Sequence, residues 1–379
     1  MTEERSIRSE FTEISARQWD YLAKESLTPK QAVAFLNSGL ELRTFPGNLR
    51  SLYQGEDLAE RLAQQMVRYA AFDGKTVKAD SMRKKVQNWM KNKNVPSDRE
   101  ELFRIAFALG LDEKQTDQLL QRTVEQGIHY RNEREVVFAF SLRNHQSYET
   151  ACASARAFAD RRNTESGQEL RTRALKLAFE ELPPGEDMMT FLLDHSGSFG
   201  TYHNTAWQYY TEMLSLLTDG CTDEEVYSIE YVADHYLRMG VPMEKKTASF
   251  SDMQKMIKKY WPGVRSIKAM RARTEDISRR ALLLLYLITG GIRGQEYDEL
   301  DEDYVSASEI LEEHCRRLNQ MMEECGMSLM DPRNPFDYLV LYCLKPREDD
   351  DMGRRMEQIV QELFQETERA EPGQGKTTE

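Results

Sequence analysis

Apolar positions along this chain recur mostly at three- and four-residue intervals, the period of an amphipathic helix. In SLTPKQAVAFLNSG the punctuation is complete. Thr28 can cap, Pro29 suits the first turn, Gln31 completes a capping box, and Asn37, Ser38 and Gly39 close the helix. The run RTFPGNLRSLYQGEDLAERLAQQMVRYAAFDGK predicts two more helices, broken near Gln54 and Gly55 and stopped at Asp73 and Gly74, with Leu58, Leu62 and Met66 as the seam of the second. KTVKADSMRKKVQNWMKNKN then sets Val86 and Trp89 three apart on one face and spreads Arg83, Lys84, Gln87, Asn88 and Lys91 over the others. Pro96 precedes a helix for which Ser97 is the expected cap and Glu100 its capping-box partner. Leu102, Ile105, Ala106 and Leu109 supply its core stripe and Gly110 its stop, and Asp112 with Gln115 open the next helix.

Composition sharpens this into a class. A length of 379 residues exceeds what one hydrophobic core usually organises. Apolar residues at 40%, charged residues at 30%, and only 11 prolines and 20 glycines favour helices over strands. The expected fold is all-α. No apolar run reaches the roughly 18 to 20 residues of a membrane span, and MTEERSIRSEF is too charged for a signal peptide, so a cytoplasmic protein away from the membrane is expected. Cys152, Cys221, Cys315, Cys325 and Cys343 are odd in number and form no CxxC pair, which suits reduced thiols.

The net charge of −13 argues against nucleic acid until its distribution is seen. From Lys75 to Arg104 nine Lys/Arg face four Asp/Glu, and from Met243 to Arg280 eleven face four. The positive charge is gathered into two islands. On a helix in a major groove, Arg and Lys suit guanine while Gln and Asn suit adenine; the plain alternative is a solvated helix face.

The run from Val86 to Leu120 (V-x-x-W, a basic linker, P-S, an L-x-x-I-A-x-A-L-G-L helix and a closing L-L) resembles the repressor-type helix-turn-helix family, also called the xenobiotic-response-element type. The resemblance covers roughly residues 46–125. It implies a bacterial-type transcription regulator in which the helix ending at Trp89 enters the major groove and the helix after Pro96 supports it. By position it assigns Arg83, Lys84, Lys85, Gln87 and Asn88 to DNA, Lys91 and Lys93 to phosphates, and Trp89, Ile105 and Leu109 to the core. Double-stranded DNA is the implied partner, with a homodimer to match two half-sites, and no cofactor or metal is implied. The family joins its second and third helices by a short turn, whereas the run from Met66 through Ala79 is long here: either the second helix is extended or AAFDGKTVKAD is an insertion.

An internal repeat is also expected. Arg131 and Asn132 open one apolar helix and Arg333 and Asn334 another, reaching Leu142 and Leu344 at the same distance, with Gly127 and Gly326 upstream. Aligning Arg99 with Arg279 brings Leu102 onto Leu282 and Gly110 onto Gly290, while Ile267 and Met270 stand where Val86 and Trp89 stood. The reading is therefore an N-terminal helical arm (1–45), a helix-turn-helix domain with its following helix (46–145), a helical middle region (146–240), a C-terminal helical region that is a degenerate second copy (241–368), and a disordered tail (369–379). Lys258, Lys259, Arg265, Lys268, Arg271 and Arg273 would form the second copy's basic surface.

Other chemistry is weakly supported. His314 beside Cys315 lacks a second ligand pair. Asp194, His195, Ser196 and His203 lie close in sequence without a G-x-S-x-G elbow. Gly290, Gly291 and Gly294 form no phosphate loop, and the acids of EYDELDEDY match no calcium loop. No nucleophile, base and stabiliser converge, so an enzyme is not expected. The competing reading is a helical scaffold or interaction module whose helix-turn-helix no longer reads DNA.

Overall fold

A computed structural model describes residues 7–24, 26–162, 170–183, 187–200, 202–218, 231–242, 250–290, 306–346 and 351–368. Cys221, Gly291, Gly294, the EYDELDEDY segment and the 369–379 tail lie outside them. The described residues are helical and contain no strand. No helix among them is long and apolar enough to cross a membrane.

The helices in chain order are α1 (Glu13–Lys24), α2 (Pro29–Ser38), α3 (Phe45–Leu52), α4 (Leu58–Phe72), α5 (Ala79–Met90), α6 (Arg99–Leu109), α7 (Glu113–Val124), α8 (Glu133–Arg143), α9 (Tyr148–Arg161), α10 (Thr172–Glu180), α11 (Met188–Asp194), α12 (Asn204–Thr218), α13 (Asp252–Lys258), α14 (Val264–Arg271), α15 (Arg279–Ile288), α16 (Ala307–Glu324), α17 (Pro335–Leu344) and α18 (Met352–Glu368). They gather into two compact units, a middle one of residues 43–205 with 322–328 and a terminal one of 1–42, 206–321 and 329–379. The unit boundaries thus fall elsewhere than at 145 and 240, and residues 1–42 belong with the C-terminal helices. That grouping has named contacts within the terminal unit: Lys345 donates to Ala23 O at 2.7 Å, Tyr342 to Leu27 O at 3.3 Å, and Arg333 Nε to Glu41 O at 2.8 Å.

Several ends match the sequence signals. Thr28 and Gln31 form a reciprocal capping box, as do Asp112 and Gln115. Gly110 closes α6 at φ +65°, where a side chain would be strained. One expected cap moves by a residue: Asp98, not Ser97, caps α6, its carboxylate accepting from Glu100 N at 3.1 Å. Aspartate reaches a free helical N–H as readily as serine, and Asp98, with extended backbone, immediately precedes the first helical residue, Arg99.

The two units share a set of similar interactions at the positions that the expected repeat pairs. In the middle unit Arg99 grips Glu135 through two hydrogen bonds, 2.7 and 2.6 Å, and donates to Gly127 O at 2.6 Å. Glu135 also accepts from His129 N at 2.8 Å, and Asn132 caps α8. In the terminal unit Arg279 grips Asp337 at 2.6 and 2.9 Å and donates to Leu329 O at 3.2 Å. Asp337 accepts from Asp331 N at 2.9 Å, and Asn334 caps α17. Asp117 accepts from Ile128 N in one unit as Asn319 accepts from Met330 N in the other, at 2.7 and 2.8 Å. Gly110 and Gly290 close their helices at φ +65° and +67°. Gly127 is matched in this pattern by Leu329, not Gly326, because the shared feature is the carbonyl that the arginine grips.

The Arg279–Asp337 clamp is buried and the Arg99–Glu135 clamp half-buried, and an ion pair removed from water is stabilising only when its remaining polar atoms are also satisfied. Here backbone groups complete both. Removing one partner would strand the other. Asp337→Ala is expected to cost about 3–5 kcal/mol, and Glu135→Ala less, because the Arg99 side chain is 25% exposed against 4% for Arg279. Denaturant unfolding of the two variants checks the order; equal losses would contradict it.

A second buried polar pair makes stability depend on pH. Tyr286 Oη and His314 Nδ1 lie 2.8 Å apart in the terminal unit. Burial, helped by the nearby Arg317 charge, lowers the His314 pKa from 6.5 to about 4. An unfolded His314 gains its proton near pH 6.5 while the folded one resists it, so its contribution is intact above 6.5 and is lost as pH falls towards 4. The loss should approach about 3 kcal/mol. His314→Gln, which cannot titrate, should gain thermal stability relative to the wild type over that window; a constant difference across it would contradict the assignment.

Candidate nucleic-acid interface

The first basic island lies on α5 in the middle unit. Met82, Val86 and Trp89, at i, i+4 and i+7, form its buried seam; Val86 is 1% and Trp89 2% exposed. The Trp89 ring meets Phe45 edge-on with centroids 6.2 Å apart. Two hydrogen bonds of one residue fix the helix's C-terminal end. Asn92, in the left-handed region at φ +52°, accepts from Phe45 N through Oδ1 at 3.3 Å and donates its own N–H to Trp89 O at 2.9 Å.

The long approach to α5 has a simple cause: α4 is extended to Phe72, and residues 73–78 form the turn. Gly74, at φ +73°, makes the corner, and Lys75 N bonds back to Ala70 O at 2.8 Å. Asp73 is held by Arg104 at 2.9 Å and by the Tyr148 hydroxyl at 3.2 Å. Hydrogen bonds hold this connection, most of whose residues are exposed.

With its seam buried, α5 turns Lys84, Gln87 and Lys91, at i, i+3 and i+7, to one solvent-facing side. Arg83 is exposed beside them and pairs with Asp80 at 3.0 Å, and Asn88 is half-buried at the edge. Lys93 is exposed in the turn beyond the helix. Lys85 departs from the expected set: its ammonium is bonded to Glu101 and sits 5.3 Å from the Trp89 ring centroid, so it braces the helix against its neighbour. Trp89, Ile105 and Leu109 are all buried, as the core assignment expects.

Two cations counted in this island serve the interior. Arg99 is in the clamp, and Arg104 joins Asp73 and Glu100. The second island in the terminal unit shows the same division. Arg279 grips Asp337, and Arg280 donates to Ile257 O at 2.7 Å. Arg265, Lys268 and Arg271 are exposed on α14, which contains no acidic residue. Lys258 lies over Phe250, Lys259 over Tyr260 and Arg273 over Trp207, with 4.6, 4.6 and 5.0 Å to the ring centroids. The net count revealed where cations cluster but not which of them face water.

Ser196 and Ser198 are buried in a short 3-10 turn, and His195 packs on Phe191 with centroids 4.6 Å apart. Phe191, Leu192, Phe199 and Tyr210 are core, whereas Tyr202 is exposed. Cys315, next to His314 in the chain, is buried and forms no disulfide. No known protein family, curated protein or solved structure matches the chain.

Proposed function

We propose that this chain is a DNA-binding regulator in which α4, the 73–78 turn and α5 act as a helix-turn-helix, with α5 as the groove-reading helix. The observation that carries this is the division of α5 into a buried Met82–Val86–Trp89 seam and an open face of Lys84, Gln87 and Lys91. A lysine and a glutamine on one ridge offer a guanine-directed donor and an adenine-directed amide, while Lys91 and Lys93 beyond them suit flanking phosphates. The family resemblance of the sequence supports the same assignment, and the extended α4 makes an insertion unnecessary.

The acidic remainder of the chain limits phosphate attraction to chosen faces. Arg83 can exchange its exposed Asp80 partner for a phosphate at little cost, since such surface pairs are worth about 0–1 kcal/mol. Lys85 is assigned to bracing α5 instead of contacting DNA. Its neutralisation of Glu101 also removes a carboxylate that would repel a phosphate backbone.

Fluorescence polarisation on labelled duplex DNA over a salt series tests the proposal. Binding should weaken steeply with salt, and Lys91→Ala and Lys93→Ala should each flatten the log–log slope by about one unit. Both positions are exposed, so the melting temperature should hold. No binding at micromolar protein and low salt would overturn the proposal and leave a helical interaction module.

A further inference from the structure

The two clamps place α5 and α14 at corresponding positions within their own units. Val86 and Trp89 correspond to Ile267 and Met270, all four buried. The turns after the two helices are alike as well. Asn92 at φ +52° donates to Trp89 O and Arg273 at φ +55° to Met270 O, at 2.9 and 3.1 Å. The following residues repeat the match, Lys93 N to Asn88 O at 3.0 Å and Thr274 N to Ala269 O at 2.9 Å. This register brings Lys84 onto Arg265, Gln87 onto Lys268 and Met90 onto Arg271.

We infer that α14 is a second DNA-contacting surface that engages phosphates without reading bases, an inference that rests on the DNA-binding reading of α5. Two differences between the copies carry the division of labour. First, the amides of α5 are gone: Gln87 and Asn88 are replaced by Lys268 and Ala269, while cations are kept or added at Arg265, Lys268 and Arg271. An eight-residue helix with three exposed cations and no carboxylate, in a chain of net charge −13, is an electrostatic footprint for a polyanion.

Second, α14 lacks the N-terminal turn that a reading helix puts against base edges. The chain positions corresponding to the start of α5 are instead occupied by Trp261 and Pro262, both buried. Trp261 donates from Nε1 to Leu237 O at 2.8 Å and packs edge-on against Phe336, with centroids 5.5 Å apart. The approach to α14 is therefore committed to the core. What remains exposed is a compact cationic face, suited to phosphates and indifferent to sequence.

The test uses the full chain and three fluorescein-labelled 40-bp duplexes, one random pool, one AT-only and one GC-only, each titrated at several salt concentrations. Arg265→Ala/Lys268→Ala/Arg271→Ala should flatten the salt slope by about two to three units and weaken binding to all three duplexes by the same factor within about threefold. Lys84→Ala/Gln87→Ala/Asn88→Ala should instead change the ratio of AT to GC affinities. If melting shows that the alanine variant is not folded, the corresponding triple glutamine variant replaces it. Unchanged affinity and slope in the α14 variant, with binding lost in the α5 variant, would overturn this inference and leave the α5 reading standing. A loss that differs more than about tenfold between AT and GC duplexes would overturn the phosphate-only role. Absence of wild-type binding to any duplex would overturn both.

Discussion

An arginine gripping, through two hydrogen bonds, a carboxylate from a helix more than thirty residues further on is the constraint on which each unit depends. Arg99 with Glu135 and Arg279 with Asp337 join the first turn of one helix to the first turn of another and pin the intervening loop by its carbonyl. The geometry is bidentate, so it fixes orientation as well as distance. Neither ion is left with idle hydrogen-bonding capacity at its partner, which is the condition for a desolvated pair to hold a structure together. With α6 and α15 so fixed, the apolar seams of α5 and α14 are presented against settled cores, and only their outer faces remain for other work.

This arrangement changes how the charge of the chain is understood. The islands are basic for two separate reasons. Each ends in arginines recruited inward, Arg99 and Arg104 in one, Arg279 and Arg280 in the other. The remaining described cations of both islands lie at or near the surface, among them Arg83 and Lys84 on α5, Lys91 and Lys93 just beyond it, and Arg265, Lys268 and Arg271 on α14. A face of that kind on an acidic molecule localises attraction for a polyanion.

Local features were legible in the sequence because the physics that sets them is local. Caps at Thr28 and Asp112, the stop at Gly110 and the Val86–Trp89 seam depend on neighbours within one or two turns. The all-helical class followed from the same periodicity. The Arg–Asn and Arg–Leu spacings that the two units share were legible, but not the ion pairs they serve, because each arginine and its carboxylate meet only through the fold. For the same reason Lys85 could not be told from Lys84: both are exposed, and only a contact with Glu101, distant in sequence, sets Lys85 apart. The association of residues 1–42 with the C-terminal helices rests on contacts between residues some three hundred apart, such as Lys345 with Ala23, and no window of sequence contains both.

The proposed role of α5 requires its open face to meet DNA bases. The most direct measurement replaces Gln87 with photoreactive benzoyl-phenylalanine, irradiates the full chain with labelled duplex DNA, and maps the crosslinked nucleotide. Glu60, exposed on α4, serves as the control position. Crosslinks to bases from position 87 and none from position 60 are expected. Equal crosslinking from both positions, or none from position 87 under conditions where the protein binds DNA, would contradict the claim.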